Sequence, residues 1–270
     1  MEYFHDKCVL LTGGSSGIGL AAARILRKEG AHLILVARDE EKLDKAATEL
    51  EQIASEGKEL HILPLDVSDG EACKKAVEKL PTELPVQILI NNAGITRPGD
   101  FLELPEETFE QMMQVNYMGS VYLTRLLVPA MVEARSGHVA FVSSLLGLMG
   151  IWGYSAYAPS KFAQRGFAEC LRNELKPHDV RVSICYPPDT DTPQHEYEQQ
   201  YLPAETKAIA GNAKALSAEC VATLLLKGMA GGKFSIVPGA SSKFADVMYR
   251  WFPSMVQSMF DGDARKAQSS

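Results

Sequence analysis

A tyrosine and a lysine stand four residues apart in the sequence, at Tyr157 and Lys161. On a helix this spacing places both side chains on one face. A free phenol has a pKa of about 10 and is a weak acid at neutral pH, but a neighbouring ammonium group lowers that pKa. The pair therefore predicts a tyrosine general acid. It is a weak signal by itself, because tyrosine and lysine meet at this spacing by chance in many helices.

Three further polar features strengthen this prediction. Ser144 ends a predicted strand thirteen residues before Tyr157, and the run from Asn91 to Gly94 follows another predicted strand. Asn116 lies inside an apolar helical run, where a buried amide needs hydrogen-bond partners. A phenol, a hydroxyl and amides in one chain favour a catalytic site.

A glycine-rich turn, TGGSSGIG, follows the first predicted strand and precedes an amphipathic helix. Glycines let a ligand approach the backbone closely, and the N-terminus of the next helix attracts an anion. The order of strand, glycine turn and helix predicts a dinucleotide site, with a tight turn that binds nothing as the alternative. The predicted cofactor-binding residues of this turn are Gly13, Ser15, Ser16, Gly17, Ile18 and Gly19.

The end of the second predicted strand indicates which dinucleotide binds. A cofactor with free ribose hydroxyls usually meets an acidic residue at this point, but Ala37 is followed here by Arg38, with Lys42 one helical turn further on. A guanidinium suits a 2′-phosphate by charge and by bidentate geometry. The pattern therefore predicts NADPH as the cofactor, with a surface ion pair between Arg38 and Glu41 as the alternative.

These groups need a scaffold, and the sequence alternates strands with helices. One predicted helix is the charged stretch from Asp39 to Ser55, in which Leu43, Ala46 and Leu50 recur at helical spacing. Near-continuous apolar strands between such helices predict an α/β, single-domain Rossmann fold: a doubly wound, seven-stranded parallel sheet with helices on both faces. The predicted strands are residues 7–12, 32–37, 60–65, 86–90, 139–143, 180–185 and 234–237.

In combination and in this order, the motifs TGxxxGIG, NNAG, an interior asparagine, a serine and YxxxK resemble those of the short-chain dehydrogenase/reductase family over nearly the whole chain. The resemblance implies that Tyr157 donates a proton. It implies that Lys161 lowers the pKa of Tyr157 and holds the nicotinamide ribose. It further implies that Ser144 hydrogen-bonds the substrate oxygen and that Asn116 supports Lys161 through water.

The resemblance also implies cofactor contacts beyond the glycine turn. Asp66 would accept the adenine amine, and Asn92 would line the cofactor. Family members commonly form dimers or tetramers through the helices around residues 117–133 and 157–176, and apolar side chains there fit either a partner or the sheet. The other implied cofactor contacts are Val67, Ala93, Gly94, Pro187 and Thr192.

The string PPDTDTP at residues 187–193 is similar to a branch of this family that reduces 3-oxosphinganine to sphinganine with NADPH. A long-chain ketone lipid is therefore the implied substrate. Residues 187–211 form a long connection, and such loops are usually functional. Asp189 and Asp191 would either face the amine of a sphingoid base or cap turns. The residues that would cover its alkyl chain are Tyr197, Tyr201, Leu202 and Ile209.

Two other functions stay open for the sequence alone. One is another NADP-dependent reductase of the same family, which would act on a 3-oxoacyl chain, a steroid or a sugar ketone. The other is a non-catalytic protein that senses NADPH. The presence of Ser144, Tyr157 and Lys161 argues against the second, because a binding protein does not need an acidified phenol.

The C-terminal stretch 244–260 holds five aromatic residues and three methionines, with few charges. It suits a membrane interface, or else packing on the body of the protein or on a partner subunit. Pro253 is expected to break any single helix there. We therefore predict a catalytic and NADP-binding domain over 1–240, containing the substrate loop 187–211, and an amphipathic extension over 241–270.

Composition argues against several other classes. The 270-residue chain has a net charge of −7, which is unsuited to nucleic-acid binding. Its five cysteines and six histidines are scattered, so neither a metal site nor a disulfide framework is expected, and a cytoplasmic location is favoured. Residues 139–160 carry no charge and are long enough to cross a membrane, but their glycines and Pro159 favour a strand followed by a loop.

Overall fold

Seven parallel strands form the central sheet of the computed structural model, which describes residues 1–53, 57–211 and 214–269. Their order is β3-β2-β1-β4-β5-β6-β9. Strands β2 and β3 therefore lie on one side of β1, and β4 and the later strands of this sheet lie on the other side. The predicted doubly wound sheet is confirmed. In the described residues the strands are β1 (Cys8–Thr12), β2 (His32–Ala37), β3 (Leu60–Pro64), β4 (Ile88–Asn91), β5 (Gly137–Val142), β6 (Val180–Cys185), β7 (Thr190–Asp191), β8 (Leu216–Ser217) and β9 (Ser235–Ile236).

Helices cover both faces of this sheet. Side chains of α1, α2 and α9 pack on one face, and those of α3, α5 and α6 pack on the other. Strands β1 and β4 are consequently buried along their whole length, which explains their uninterrupted apolar sequences. The helices of the described residues are α1 (Gly17–Lys28), α2 (Glu40–Glu51), α3 (Gly70–Val77), α4 (Glu106–Met112), α5 (Gly119–Glu133), α6 (Tyr157–Leu175), α7 (Pro193–Gln199), α8 (Ala204–Ala210), α9 (Ala218–Ala230), α10 (Ala240–Trp251) and α11 (Pro253–Gln268).

The helix predicted from Asp39 to Ser55 corresponds to α2. Asp39 is its N-cap, and the Asp39 carboxylate accepts a hydrogen bond from the Lys42 amide at 3.1 Å. The helix ends at Glu51, and the predicted end at Ser55 lies outside the described residues.

A π-helical segment, Met113–Met118, joins α4 to α5. Such segments are rare in helices and often occur at functional sites. Here the segment contains Asn116, whose side chain is fully buried.

The uncharged stretch 139–160 contains most of β5, a loop with a short 3-10 turn, and the start of α6. No helix among the described residues has both the length and the apolar character needed to span a bilayer.

The apolar residues that fitted either a partner or the sheet pack on the sheet. Leu123, Leu127 and Leu171 are buried in the core, and Leu126 and Phe167 are partly buried against it. They therefore do not argue for a subunit contact, and a dimer or tetramer stays a prediction.

The C-terminal stretch forms two helices, as Pro253 predicts. Helix α10 ends at Trp251, and Pro253 occupies the first turn of α11. Helix α11 packs against α8, and Ala264 is buried there. The division into 1–240 and 241–270 stays a prediction, and Ser270 lies outside the described residues.

Candidate active site

The loops that follow β1 and β4 are tied together at the carboxyl edge of the sheet. The Thr12 hydroxyl accepts hydrogen bonds from the backbone amides of Asn92 and Ala93, both at 2.9 Å. The Asn92 side-chain amide donates to the carbonyl oxygens of Thr12 at 3.0 Å and Gly13 at 3.2 Å. The predicted NNAG run therefore closes directly onto the predicted glycine turn.

The glycine turn has the shape that a dinucleotide phosphate requires. Gly13 and Gly17 have positive φ angles of 65° and 52°, and a β-carbon at Gly19 would collide with the Gly13 carbonyl oxygen. Ser16 precedes α1 without capping it through its side chain, so the first amides of α1 keep their hydrogen-bonding capacity. Because Gly17 and Ile18 line the adjoining cleft, these residues fit a pyrophosphate group.

Asn116 holds the loop after β4. Its side-chain oxygen accepts from the Ile95 amide at 2.8 Å, and its nitrogen donates to the Ile95 carbonyl at 3.0 Å and to the Ser160 hydroxyl at 2.9 Å. A β-carbon at Gly94 would lie 3.2 Å from the Asn116 oxygen and 3.3 Å from Lys161 Nζ. The two side chains therefore face one small space, which the absence of a side chain at residue 94 leaves open.

The phenol and the amine lie together at the start of α6. Tyr157 is 6% exposed and Lys161 is 3% exposed. Lys161 Nζ lies 5.6 Å from the centroid of the Tyr157 ring and donates to the Val142 carbonyl at 3.1 Å. Both side chains line the same cleft, together with Ser144.

The two serines after β5 have different environments. Ser143 is buried and donates to the Lys161 backbone carbonyl at 3.1 Å, which is a structural contact. Ser144 lines the cleft, and its hydroxyl accepts from the Leu146 amide at 3.1 Å. The hydroxyl hydrogen of Ser144 is therefore available to a further acceptor.

Burial controls the acidity of both groups. Loss of water lowers the pKa of Lys161 to about 7, although the negative charge of Glu198 opposes this change. Burial raises the pKa of Tyr157 above its ordinary value, the charge of Glu198 raises it further, and hydrogen bonding with Ser144 lowers it. Burial, Glu198, Ser144 and Asp189 account for this shift of the Tyr157 pKa, so a lowering of that pKa by Lys161 stays a prediction.

One cleft of about 700 Å³ gathers most of the predicted site residues. It runs from the glycine turn past the phenol to the loop after β6. The predicted residues that line it are Gly13, Ser16, Gly17, Ile18, Asn92, Ala93, Gly94, Ser144, Tyr157, Lys161, Pro187 and Thr192.

The predicted adenosine-side residues lie beyond this cleft, after β2 and β3. A guanidinium nitrogen of Arg38 is 3.9 Å from a carboxylate oxygen of Asp66; the Arg38 side chain is exposed and that of Asp66 is half-buried. Lys42 Nζ lies 3.2 Å from the carboxylate of Asp39. Val67 is buried. Arg38 therefore pairs with another predicted cofactor residue, and not with Glu41 as the surface alternative held.

The cleft also contains two carboxylates, and the sequence indicated a possible site role for only one of them, Asp189. Glu198 of α7 lines it, and one of its carboxylate oxygens accepts from the Tyr154 hydroxyl at 3.1 Å. Asp189 lines it as well, whereas the side chain that caps α7 is that of Thr192. The sequence carried no signal for Glu198, since the run EYEQQ around it is typical of a solvated helix face.

Only two of the four residues that were predicted to cover the alkyl chain lie at the cleft. Leu202 and Ile209 line it. Tyr197 and Tyr201 are exposed and their tilted rings contact each other with centroids 4.9 Å apart, and the Arg97 guanidinium lies 3.3 Å from the centre of the Tyr201 ring. These two tyrosines are therefore engaged on the outer surface of the loop.

The fold and this arrangement define a class, and comparison with known proteins agrees. The sequence profile described as short chain dehydrogenase matches residues 7–202. The chain therefore belongs to the short-chain dehydrogenase family, which confirms the resemblance of its motifs.

The chain is also similar to individual proteins of this family. The chain is 44% identical over 233 residues to the 3-dehydrosphinganine reductase of Danio rerio, covering 84% of this chain and 69% of that protein. It is 37% identical over 271 residues to the 3-ketodihydrosphingosine reductase of Dictyostelium discoideum, covering 94% and 81%. Among solved structures, the closed form of serine dehydrogenase complexed with NADP+ superposes with a TM-score of 0.75 at 28% identity, covering 85% of this chain and 93% of that one.

The buried amine should make stability depend on pH in a defined direction. Since the pKa of Lys161 falls from 10.5 to about 7 on folding, the unfolded chain holds one more proton between those values. The free energy of unfolding of the wild type should therefore rise relative to that of Lys161→Met as pH increases above 7. The slope is at most about 1.4 kcal/mol per pH unit. Urea unfolding of both proteins from pH 6.5 to 9.5 measures it.

Lys176→Met, which removes an exposed lysine just after α6, is the matched control. A difference between the wild type and Lys161→Met that does not vary with pH would contradict the lowered pKa of Lys161.

Proposed function

We propose that this chain is an NADPH-dependent oxidoreductase that reduces 3-oxosphinganine to sphinganine. The proposed reaction is supported by the buried Tyr157 phenol, which lies with Ser144, Lys161 and the glycine turn in one cleft. The observation that carries the substrate is the identity of 37–44% to relatives named for this reaction, over most of the chain.

The chain's own groups hold and protonate the substrate oxygen. NADPH, when bound, supplies a hydride to the ketone carbon. The Ser144 hydroxyl donates a hydrogen bond to the ketone oxygen, on which negative charge develops. Tyr157 Oη then gives its proton to that oxygen. Because its pKa is raised, the phenol stays protonated at neutral pH, and the developing alkoxide is a stronger base than the phenolate.

Lys161 has two tasks in this scheme. Its Nζ lies at the floor of the cleft between the Val142 carbonyl and the space beside Gly94. From there it donates hydrogen bonds to the nicotinamide ribose, and its positive charge compensates the phenolate that remains after proton transfer. Asn116 fixes the loop that forms the other wall of this space.

The apolar wall of the cleft supports a long-chain substrate. Met149, Ile151, Leu202 and Ile209 line it. A neighbouring hollow of about 740 Å³ shares Ile151 and Ile209 and extends toward Phe162. A chain of methylene groups gains about 0.8 kcal/mol for each one buried, whereas a sugar ketone gains little from such a surface.

Tyr157→Phe tests the proton donor. The variant should lose at least about a hundredfold in kcat with 3-oxosphinganine, because the phenol is the only acid in the scheme. NADPH affinity, measured by fluorescence titration, should change little. The control is Tyr122→Phe, because the Tyr122 ring lies beside Gly70 of α3 and does not line the cleft. Turnover by Tyr157→Phe near the wild-type rate would remove Tyr157 from its role.

The identity of the substrate is tested by mass spectrometry. Sphinganine should form from 3-oxosphinganine and NADPH, and a 3-oxoacyl thioester and a steroid ketone are assayed beside it for comparison.

Arg38 tests the choice of cofactor. Arg38→Asp combined with Lys42→Ala should reverse the preference from NADPH to NADH, because a carboxylate repels a 2′-phosphate and accepts ribose hydroxyls. The ratio of kcat/KM for the two cofactors measures the effect. The control is Lys45→Ala, which removes an exposed charge from α2, the helix that contains Lys42, and should leave the ratio unchanged. An unaltered preference in the double variant would show that the 2′-phosphate is bound elsewhere.

We also propose that the exposed face of α10 and α11 rests on a lipid surface. Aromatic and methionine side chains with few charges suit the interface of a bilayer. The same two helices contribute Ala245 and Phe260 to the cleft wall, so a lipid surface there would lie next to the substrate entrance. The exposed side chains of this face are Phe244, Val247, Trp251, Phe252, Met255 and Met259.

Sedimentation with phosphatidylcholine vesicles tests this surface. Trp251→Ser with Phe252→Ser should reduce the vesicle-bound fraction several-fold, whereas Leu224→Ser, an exposed apolar residue on α9, should not. Equal binding by the double variant would contradict the proposal. So would self-association that is lost in the double variant without any lipid, because the face would then bind a second copy.

A further inference from the structure

A carboxylate lies unexpectedly close to the reacting groups. Glu198 projects from α7 into the cleft that also contains Tyr157 and Lys161. In the described ranges, no lysine or arginine nitrogen lies within 4.0 Å of its oxygens. Burial raises the pKa of Glu198 and the Tyr154 hydrogen bond opposes this. A partly buried carboxylate without a counter-cation is unfavourable, so the folded chain maintains it at a cost in stability.

Tyr154 fixes the position of this carboxylate relative to the catalytic phenol. Its hydroxyl donates to Glu198 at 3.1 Å, and its ring centroid lies 5.8 Å from that of Tyr157. The charge of Glu198 is close enough to raise the pKa of both Tyr157 and Lys161. Glu198 is therefore about one aromatic side chain away from the place where the ketone oxygen is protonated.

The electrostatic surroundings of Glu198 favour a cation on the substrate. Asp189 also lines the cleft and raises the pKa of Glu198, so two negative charges face the same space. His195 on the same helix opposes this shift, and Lys207 is the basic residue of α8 at the cleft wall. Lys161, Lys207 and Lys214 also line the cleft, but none of these three amines lies within 4.0 Å of the Glu198 carboxylate. An ammonium group on the substrate would pair with that carboxylate, whereas a neutral ketone would not.

We propose that Glu198 binds the ammonium group of a 2-amino ketone, and so selects such substrates from other long-chain ketones. This inference rests on the proposed function, which places the carbonyl oxygen at Ser144 and Tyr157. In a 2-amino ketone the nitrogen and the carbonyl oxygen sit on adjacent carbons, so the nitrogen lies beside the phenol, on the side that Tyr154 and Glu198 occupy. A 3-oxoacyl chain, a steroid or a sugar ketone has no cation to offer there.

The test compares two substrates on two proteins. The substrates are 3-oxosphinganine and the matched ketone without the 2-amino group, and the proteins are the wild type and Glu198→Gln. The wild type should prefer the amino ketone by at least tenfold in kcat/KM, since a charged hydrogen bond is lost with the deaminated compound. Glu198→Gln should reduce this ratio to near one, mainly through KM. Glu198→Asp should recover part of it.

The ratio separates recognition from indirect effects. Removal of the Glu198 charge also alters the pKa of Tyr157, but this changes the rate with both ketones equally. Glu196→Gln, a neutralised carboxylate on the exposed side of α7, is the control and should keep the wild-type ratio. NADPH affinity is expected to be the same in all variants, which verifies that the cofactor site is intact.

The two possible failures are distinguishable. If the wild type reduces 3-oxosphinganine and Glu198→Gln keeps the full preference for the amino ketone, the ammonium assignment is overturned while the proposed function stands. If the wild type reduces neither long-chain ketone but does reduce another ketone with NADPH, the proposed function is overturned, and the assignment of Glu198 with it.

Discussion

The hydrogen bonds between Thr12 and the loop after β4 hold together the two loops around which the cleft is built. Strands β1 and β4 are neighbours in the sheet but are separated in sequence by three helices and two strands, and their following loops diverge at this point. A crevice forms where the loops of a doubly wound sheet part. Thr12 and Asn92 join its two walls directly. The glycine turn, the Asn116 loop and the start of α6 therefore assemble around one cleft.

Burial within that cleft moves the pKa values of both reacting groups away from their ordinary values. A dry environment makes the Lys161 ammonium and the Tyr157 phenolate less favourable, so both groups move toward their neutral forms. A neutral phenol is the form that a reductase needs at the beginning of its cycle. The same dry environment strengthens any charge interaction made with a substrate, which gives Glu198 an influence that a surface carboxylate would not have.

The elements that the sequence predicted well are those whose signal is local. Apolar runs located every strand of the central sheet, and the glycine spacing located the turn, because buried parallel strands and tight turns restrict residue type strongly. The position of Asn116 was predictable as a buried amide, but its partners at Ile95 were not. Those bonds depend on a π-helical turn that leaves no mark in the hydrophobic pattern.

Features that depend on which residues come together in the folded chain were not predictable from the sequence. The pKa of Tyr157 depends on how much water reaches it, which the spacing to Lys161 cannot report. Glu198 comes close to the phenol only because α7 folds back over the cleft. That helix belongs to an excursion whose two ends are joined by the short parallel ladder of β7 and β8, where Thr190 pairs with Leu216 and Asp191 with Ser217. Because this ladder holds both ends, Glu198, Leu202 and Ile209 reach the cleft from one connected segment, so exchange of that segment would change the shape offered to the ketone and the charge beside the proton donor together.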